Sequence, residues 1–412
     1  MIPGNLHGFR VLDLADEPGL LAGRLLGDLG ADVVQVEPPG GHPLRRRGPF
    51  WNGIADAERS LTWLAQNTSK RGITLDLEKT RGRELFLDLC ERADAVLETR
   101  APGVLAARGI GYGAQRARNP RIVLCSITPF GQSGPWRDWR ASDLTALATG
   151  GNLFPTGDSD RAPVRASLPT SYFHAGIEAA LAVALAWIAR GATGAGQHID
   201  VSLQEVMLMP NMSNPAQYGL TKAKGGRMGP GYRVGKVFQP EIWRCKDGFV
   251  SFALRGGAAR IPGLIAMVQY MDESGMAPSI LKDRDWKRYN HNLLTQTEVD
   301  EMKAAFEAFF ASKTKAELYR AALDRKLMLA PVNDPPAILA SAQLAAREFF
   351  VDVDYPHLGG RLRHPGAVAR LEPGGAGLRR RAPRIGEHNA EVFAELDLGT
   401  AELAALAREG VI

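Results

Sequence analysis

The sequence predicts an α/β protein built around a parallel β-sheet with helices on its faces. Short apolar runs alternate with helical patterns through the first half of the chain, and strands that alternate with helices form parallel sheets. These runs are apolar at nearly every position, which is typical of strands buried on both sides. A length of 412 residues is too great for one ordinary core and indicates two domains, or one large domain with an excursion.

The elements of the first half are short and closely spaced. Helices are predicted at Leu20–Leu29, which Gly30 ends, and at Arg81–Ala93, where apolar residues recur at helical spacing. The Pro- and Gly-rich segment Pro38–Pro49 is predicted to be a loop. The predicted strands are Val11–Leu14, Val33–Val36, Ile73–Leu77, Ala95–Leu97 and Ile122–Ile127.

A long Ala-rich helix is predicted over Phe173–Arg190, and because it is apolar on most sides we expect it to be buried. The glycine-dense segment Gly191–Gly196 ends it, and His198–Leu203 begins another strand-to-helix unit. Lys222–Gly235, rich in Gly, Lys and Arg, is predicted to be a loop or linker. The later predicted elements are a strand and two amphipathic helices, at Phe249–Leu254, Glu298–Ser312 and Lys315–Arg325.

The shift in composition near Gly225 divides the chain into three predicted segments. Residues 1–224 form the first part of a large domain, residues 225–330 form a smaller domain, and residues 331–412 return to the large one. Prolines at 331, 335 and 336 mark the return.

Composition and motifs exclude several classes of protein. The formal charge of +5 favours an anionic small molecule or an acidic partner, and no basic stripe interleaved with aromatics indicates nucleic acid. Three scattered cysteines offer neither a disulfide framework nor metal spacing. The start resembles no signal peptide, and the most apolar segment, Ala179–Ala189, is shorter than the roughly 20 residues of a membrane span. We therefore expect a cytoplasmic protein with no metal, nucleic-acid or membrane partner.

Phosphate-loop, dinucleotide and GxSxG signatures do not occur, so the residues by themselves indicate only an enzyme-like α/β protein. Eight segments, in order along essentially the whole chain, resemble the class III CoA-transferases. They are Gly27–Arg45 (GDLGADVVQVEPPGGHPLR), Asn67–Leu77 (NTSKRGITLDL), Leu97–Leu105 (LETRAPGVL), Gly109–Ile127 (opening GIGYG and closing NPRIVLCSI), Phe130–Pro135 (FGQSGP), Thr193–Glu205 (TGAGQHIDVSLQE), Ala330–Asp334 (APVND) and Ala382–Val392 (APRIGEHNAEV).

This resemblance implies a large domain with a Rossmann-like core and an inserted smaller α+β domain. It also implies that two chains thread through each other as interlocked rings. Coenzyme A and acyl-CoA are then substrates, with a carboxylic acid as acceptor, and no cofactor is bound covalently.

The sequence departs from the family at the position of the nucleophile. Family members carry an aspartate in a P-x-x-D-x-x-x-G segment, whereas Pro169–Gly176 reads PTSYFHAG, so Tyr172 occupies the aspartate position. In the family mechanism the carboxylate becomes a mixed anhydride and then a thioester of CoA. A phenol has no carbonyl carbon and stays protonated near neutrality, with a reference pKa of about 10. We therefore expect no catalytic residue in this chain.

Nearby side chains do not supply the missing group. Glu178 lies six residues further along the predicted helix and would emerge on a different face. Ser171 and His174 are nearer, but neither can form the acyl intermediate, and His174 is predicted to be an ordinary packed or exposed histidine.

The residues that would hold CoA also depart from the family. Glu78 stands where a lysine is usual and Ala107 where arginine or lysine is common, and a carboxylate repels phosphate. The partner subunit is then the main CoA-binding chain; alternatively, these surface positions drift freely and Arg45–Arg47 is a solvated loop. The family positions that remain as candidates for CoA binding are Arg45, Leu75, Thr99, Arg108 and Arg140.

The leading hypothesis is a subunit without the nucleophile, paired with a homologous subunit that carries the aspartate. Benzylsuccinate CoA-transferase, which uses succinyl-CoA and has two related subunits, is the family precedent and indicates anaerobic degradation of aromatic compounds. The alternatives are a self-sufficient acyl-CoA isomerase, racemase or lyase that uses Tyr172 as an acid, and a scaffold that binds CoA esters.

Overall fold

The structure is a computed structural model and describes residues 4–372 and 375–412. It contains two compact units. The first comprises the chain up to Leu153, Arg165–Lys222 and the chain from Gln343 onward. The second comprises Phe154–Val164 and Ala223–Ala342.

The first unit is built on a six-stranded sheet in which every neighbouring pair is parallel, as the alternating pattern predicts. The strand order is β3-β2-β1-β4-β5-β6, the order of a Rossmann-like sheet. The strands are β1 (Arg10–Asp13), β2 (Asp32–Glu37), β3 (Lys70–Thr74), β4 (Ala95–Glu98), β5 (Val123–Thr128) and β6 (His198–Ser202).

Helices cover both faces of this sheet. Because successive strand residues point to opposite sides, Val11 and Val33 pack in one core beneath α1 and α7. Leu12 and Val34 pack in the other, beneath α3. The helices of this part are α1 (Leu20–Asp28), α2 (Leu61–Gln66), α3 (Thr80–Glu91), α4 (Val104–Ala107), α5 (Tyr112–Arg118), α6 (Asp143–Thr149), α7 (Thr170–Thr193), α8 (Leu203–Leu208) and α9 (Ser213–Thr221).

The predicted bounds of one strand, Ile73–Leu77, are wrong, because β3 begins at Lys70 and ends at Thr74. The strand opens with two charged residues that the fold neutralises. Lys70 Nζ is buried and donates to Asp13 Oδ2 at 2.7 Å and to Gln35 Oε1 at 2.9 Å. These partners replace water around the ammonium group, so a lysine occupies a central position in a buried strand.

Helix α7 is longer than predicted and is not buried on all sides. One face packs on α1 and β5, but the outer face exposes Ile177, Leu181, Leu185 and Ile188 at 50, 53, 56 and 69%. This helix is also long and apolar enough to cross a membrane by length and composition alone, with a mean hydropathy of 1.5. A helix that packs its other face on the sheet of a globular core passes the same test, so this is weak evidence for a span.

The second unit has its own sheet and its own core. Strands β11-β10-β9 form an antiparallel sheet. The end of the segment predicted to be a loop or linker, Lys222–Gly235, forms strand β7, which pairs with β8 just beyond it, so this segment is partly structured. Trp243, Phe252, Phe306 and Phe310 pack together beneath the sheet. The elements are β7 (Gly231–Val234), β8 (Val237–Pro240), β9 (Ile242–Cys245), β10 (Gly248–Phe252), α10 (Ile261–Glu273), α11 (Ser279–Lys282), α12 (Gln296–Ala311), α13 (Lys315–Arg325), β11 (Leu329–Val332) and α14 (Pro335–Leu339).

The last part of the chain packs on the six-stranded sheet and beside α2. Val392 and Phe393 join the core beneath α3, and the Asp76 N–H donates to the Val411 carbonyl at 2.7 Å. A β-hairpin places Tyr355 against Trp63. The elements are α15 (Ala342–Ala346), β12 (Phe350–Tyr355), β13 (Gly360–Pro365), α16 (Asn389–Ala394) and α17 (Thr400–Arg408).

Candidate active site

The carboxyl ends of the parallel strands form the candidate site. The strand order reverses between β1 and β4, and ligands of open α/β sheets bind outside the carboxyl ends at such a reversal. A cavity of about 90 Å³ opens there. Its lining comes from the loops after four strands and from the end of α4: Leu14, Val36, Pro38, Leu75, Asp76, Leu77, Glu78, Arg100 and Arg108.

Three of the predicted CoA-binding residues meet at this edge. Leu75 and Arg108 line the cavity. Thr99 lies beside it, where its Oγ1 accepts a hydrogen bond from the Asp16 N–H at 2.7 Å. The topology therefore brings together residues that are up to 33 positions apart in the chain, from Leu75 to Arg108.

The arginines of this edge are paired with carboxylates of the same chain. Arg108 forms an ion pair with Glu78, the residue at which the resemblance leads us to expect a lysine. Arg100 lies 3.6 Å from Asp16. Each pair lowers the net positive charge that a phosphate would meet. Ala107 is exposed at the end of α4 and adds no charge.

Arg45 does not face the cavity but lies inside the protein, fully buried. Its guanidinium donates twice to Glu37, at 2.6 and 2.8 Å, and to Glu58 at 3.0 Å. It also donates to the Pro383 carbonyl at 2.9 Å and lies 4.1 Å from the ring centroid of Trp63. These contacts engage each of its three nitrogens, so the structure uses Arg45 to hold the fold together.

Tyr172 lies in the first turn of α7 and is half-buried. Its hydroxyl oxygen accepts a hydrogen bond from the Asp143 N–H at 3.1 Å. Burial raises the pKa of Tyr172 above its ordinary value, and the Glu17 and Asp143 carboxylates act in the same direction, while that hydrogen bond and Arg47 oppose them. The phenol is therefore neutral at physiological pH, and its own O–H remains able to donate.

Asp143 organises this corner of the site, and sequence analysis did not single it out. It is buried, and its Oδ1 accepts hydrogen bonds from the Ser171 N–H at 3.0 Å and from the Ser171 Oγ at 2.7 Å. The carboxylate thereby fixes the start of α7 while its N–H holds Tyr172. The signal that could have found it is the Ser142-Asp143 pair at the start of α6, a typical helix N-terminus.

The neighbours of Tyr172 along α7 are arranged as the helical spacing predicts. Glu178 is exposed, and six residues correspond to a rotation of about 240° from Tyr172. His174 is partly exposed, while Ser171 is buried against Asp143. None of these side chains points a free carboxylate at the position of the phenol.

Arg140 does not line the cavity and lies on the loop between β5 and α6, three residues before Asp143. Arg140 is exposed, and no described residue forms an ion pair with it. The rings of Trp136 and Trp139, on the same loop, stack with their centroids 5.3 Å apart.

A larger pocket of about 610 Å³ lies at the opposite, amino end of the strands. Its arginines serve the fold, because Arg71 donates to Asp32 at 2.6 and 2.9 Å and Arg10 pairs with both Asp32 and Glu395. Within residues 4–372 and 375–412, no group of three or more His, Cys, Asp or Glu side chains could hold a metal ion.

Comparison with known proteins decides the family. The model of "CoA-transferase family III" matches residues 6–389, which is nearly the whole chain. The chain belongs to CoA-transferase family III. The resemblance found in its eight sequence segments is thereby confirmed, and so is the α/β fold with a parallel six-stranded sheet.

Relatives of this family III chain match it over almost its full length. A succinyl-CoA:(R)-benzylsuccinate CoA-transferase subunit of Thauera aromatica is 35% identical over 98% of this chain and 97% of its own. The succinyl-CoA–L-malate CoA-transferase beta subunit of Chloroflexus aurantiacus is 29% identical over 95% and 94%. The crystal structure of a CaiB/BaiF family protein from Brucella suis superposes with a TM-score of 0.81 at 28% identity, covering 96% of this chain and all of that one.

Proposed function

We propose that this chain is the subunit without a nucleophile of a heteromeric family III CoA-transferase. It associates with a homologous subunit that carries the catalytic aspartate. The complex transfers CoA from an acyl-CoA, such as succinyl-CoA, to a carboxylic acid in the cytoplasm. The Thauera aromatica relative supports (R)-benzylsuccinate as the acceptor, and Tyr172 at the start of α7 is the observation that carries the proposal.

The chemistry requires an acyl carbon on the enzyme. An aspartate carboxylate attacks the donor thioester, which releases CoA thiolate and leaves a mixed anhydride. The thiolate then attacks the aspartyl carbonyl, giving an enzyme thioester and the free donor acid. The acceptor carboxylate reverses both steps, takes the CoA and restores the aspartate. Tyr172 offers a phenol oxygen only, so these steps take place on the partner subunit.

The pairing of charges at the carboxyl ends of the strands supports the proposal that the partner subunit binds most of the CoA. A CoA molecule carries phosphates that proteins hold with arginine or lysine. Three arginines at or near this edge already have carboxylate partners in the same chain, so a phosphate would have to compete with each of them. The pairs are Arg47–Glu17, Arg100–Asp16 and Arg108–Glu78.

The outer face of α7 supports a protein partner. Four apolar side chains, Ile177, Leu181, Leu185 and Ile188, follow one another at helical spacing and are all at least half exposed. Contiguous apolar surface of this kind marks protein interfaces. We assign this face to the interlocked contact with the homologous subunit, which would bury it and stabilise both chains.

One observation favours a second candidate function. Because Tyr172 accepts a hydrogen bond from Asp143, its O–H can donate to a substrate carbonyl. A stand-alone acyl-CoA isomerase, racemase or lyase would use the phenol in this way.

Expression of the chain with and without its homologous subunit distinguishes these functions. We expect CoA transfer from succinyl-CoA only when both subunits are present. Turnover of acyl-CoA by the purified chain alone would instead establish the second candidate. As a control, the partner's aspartate is changed to asparagine, which should remove transfer without preventing assembly.

A further inference from the structure

A basic surface surrounds the hairpin of β7 and β8 in the second unit. We call it the basic hairpin surface, and it consists of Lys224, Arg227, Arg233 and Lys236. The segment that contains them, residues 206–240, has no Asp or Glu. None of the four cations forms an ion pair with any residue that the structure describes. Their positive charges are therefore not neutralised within this chain.

Contacts with one short loop gather the cations on one surface. Arg227 Nε donates to the Asp158 carbonyl at 3.0 Å, and Arg233 Nη2 donates to the Ser159 Oγ at 3.2 Å. Arg233 Nη1 also donates to the Lys236 carbonyl at 3.4 Å. Because neighbouring residues of the loop hold both guanidinium groups, these groups lie close together. The acceptors are neutral oxygens, which position a guanidinium without cancelling its charge.

The carboxylates of the same loop are already occupied. Asp158 and Asp160 lie 3.4 and 2.9 Å from Arg161 Nε. The basic hairpin surface and these three residues together contain five cations and two carboxylates, so the net charge is +3. A carboxylate from outside the chain would therefore meet an excess of positive charge.

Another segment without acidic residues shows the opposite arrangement. Residues 99–137 contain no Asp or Glu either, yet Arg100, Arg108 and Arg118 each reach a carboxylate elsewhere in the chain. The fold thus neutralises these cations but not those of the basic hairpin surface. A run of charges alone is usually a solvated face, so a second observation has to distinguish the two.

Exposed apolar side chains accompany the cations and supply that observation. Three of them are about half exposed, at 51, 47 and 49%: Phe154, Val164 and Met228. Aromatic rings support both guanidinium groups, with Arg227 5.9 Å from the ring centroid of Phe154 and Arg233 5.2 Å from that of Phe238. Arginine, methionine and aromatic residues are the types enriched in protein interfaces. This combination fits a protein partner that carries carboxylates.

We infer that the basic hairpin surface binds carboxylates of the homologous subunit and thereby selects that subunit over a second copy of this chain. The inference rests on the proposed function and names the chemistry by which the two subunits recognise each other. The apolar stripe of α7 does not discriminate, because apolar burial is non-directional. A second copy that met this surface across a two-fold axis would oppose cations with cations, and such like-charge contacts exclude the wrong partner.

Competition for the homologous subunit tests the inference. The natural chain and Lys224→Glu/Lys236→Glu are co-expressed in equal amounts with a limiting amount of that subunit, and mass spectrometry measures the composition of the purified complex. Both lysines are exposed, and neither side chain forms a hydrogen bond with a described residue, so the variant should fold. We expect the natural chain to be incorporated about tenfold more often. Lys224→Gln/Lys236→Gln should give an intermediate ratio.

A matched control makes the same change of charge elsewhere in the second unit. Lys287 and Arg320 are exposed and form no ion pair with any described residue. Lys287→Glu/Arg320→Glu should therefore compete equally with the natural chain. Equal incorporation of Lys224→Glu/Lys236→Glu would overturn the inference. An equal disadvantage for both variants would do so too, because net charge alone would then be responsible.

Carbodiimide cross-linking of the natural complex locates the contact. The reagent joins lysine amines to carboxylates within ion-pair distance, so Lys224 or Lys236 should become linked to an Asp or Glu of the homologous subunit. Links only to carboxylates of this chain, or to a second copy of it, would contradict the inference. Failure of the natural chain to form any complex with the homologous subunit would instead refute the proposed function, so the two failures are distinguishable.

Discussion

A phenol stands at the position where the family resemblance expects a catalytic aspartate. Tyr172 uses its oxygen as an acceptor for the Asp143 N–H, one of the donors at the start of α6 that has no partner within the helix. The residue therefore has a structural role at the position that the resemblance assigns to the nucleophile. Sequence comparison predicted the loss of the nucleophile, but the contact with Asp143 depends on a loop that returns from 29 residues away.

Replacement of Tyr172 by phenylalanine tests this division of roles. In the complex with its partner, Tyr172→Phe should keep transfer activity within about twofold, because no step passes through the phenol. The lost hydrogen bond should lower the free energy of unfolding by about 1 kcal/mol. Steady-state rates and urea unfolding measure the two effects. A loss of most activity in this variant would support the phenol as an acid instead.

Arg45 shows what sequence could not reveal at the scale of a residue. The resemblance placed it among candidates for phosphate binding, whereas the fold surrounds it with Glu37, Glu58, Trp63 and the Pro383 carbonyl. The last of these is 338 residues away in the chain. A partner at such a distance leaves no local pattern to detect.

Stability measurements distinguish the two roles of Arg45. Arg45→Met leaves Glu37 buried without its cation and should lower the free energy of unfolding by about 3–5 kcal/mol. The double variant Arg45→Met/Glu37→Met should recover much of this loss, because neither charge then remains. Guanidinium unfolding of the three proteins tests the expectation. Unchanged stability in Arg45→Met, with weaker CoA binding, would restore the phosphate-binding role.

At the scale of elements, apolar runs located the strands of the large sheet but not all of their ends. β5 and β6 lie where the pattern predicts, whereas β3 begins three residues early because Lys70 and Arg71 are paired inside the fold. A pattern of apolar residues cannot include such charges. Burial of a helix is likewise misjudged when its second partner is another chain, as we propose for α7.

The hairpin of β12 and β13 carries a titration that can be measured. His364 Nε2 lies 3.1 Å from the Tyr355 hydroxyl, and burial, assisted by the nearby Arg24 guanidinium, lowers the pKa of His364 to about 4. The unfolded chain binds the proton near the ordinary value of 6.5. Stability conferred by the neutral histidine is therefore complete above pH 6.5 and is lost as the pH falls toward 4.

Substitution of His364 isolates this contribution. Between pH 7 and pH 4 the natural chain should lose up to about 3 kcal/mol more of its free energy of unfolding than His364→Gln. Urea unfolding at several pH values measures the difference, and His7→Gln, which removes an exposed histidine, is the control. Equal losses in the natural chain and in His364→Gln would show that the histidine is not held neutral.

At the scale of the whole molecule, the order of the eight segments predicted the family and its fold. The assembly cannot be predicted in the same way, because an interface depends on the surfaces of both subunits and this sequence describes only one of them. The exposed stripe on α7 is the strongest sign of a partner in the described part of the chain. This stripe lies on the longest helix of the first unit, and we propose that it forms part of the interlocked contact.

A single charge on that stripe should disrupt the complex. Leu185→Glu places a carboxylate in the proposed interface and should weaken association with the partner at least tenfold. Leu323→Glu makes the same change at a leucine of α13 that is 62% exposed, and it should leave the complex intact. Light scattering coupled to gel filtration of co-expressed subunits reports the outcome. A stable complex in Leu185→Glu would place the interface elsewhere.

The central claim is that CoA is never covalently attached to this chain. The most direct measurement incubates the assembled complex with succinyl-CoA, traps the reaction during turnover and locates the CoA thioester by mass spectrometry of each subunit. The account predicts an adduct on the aspartate of the partner and none here. A CoA adduct on any carboxylate of this chain, such as Asp143 or Glu17, whose charges act on the phenol, would contradict it.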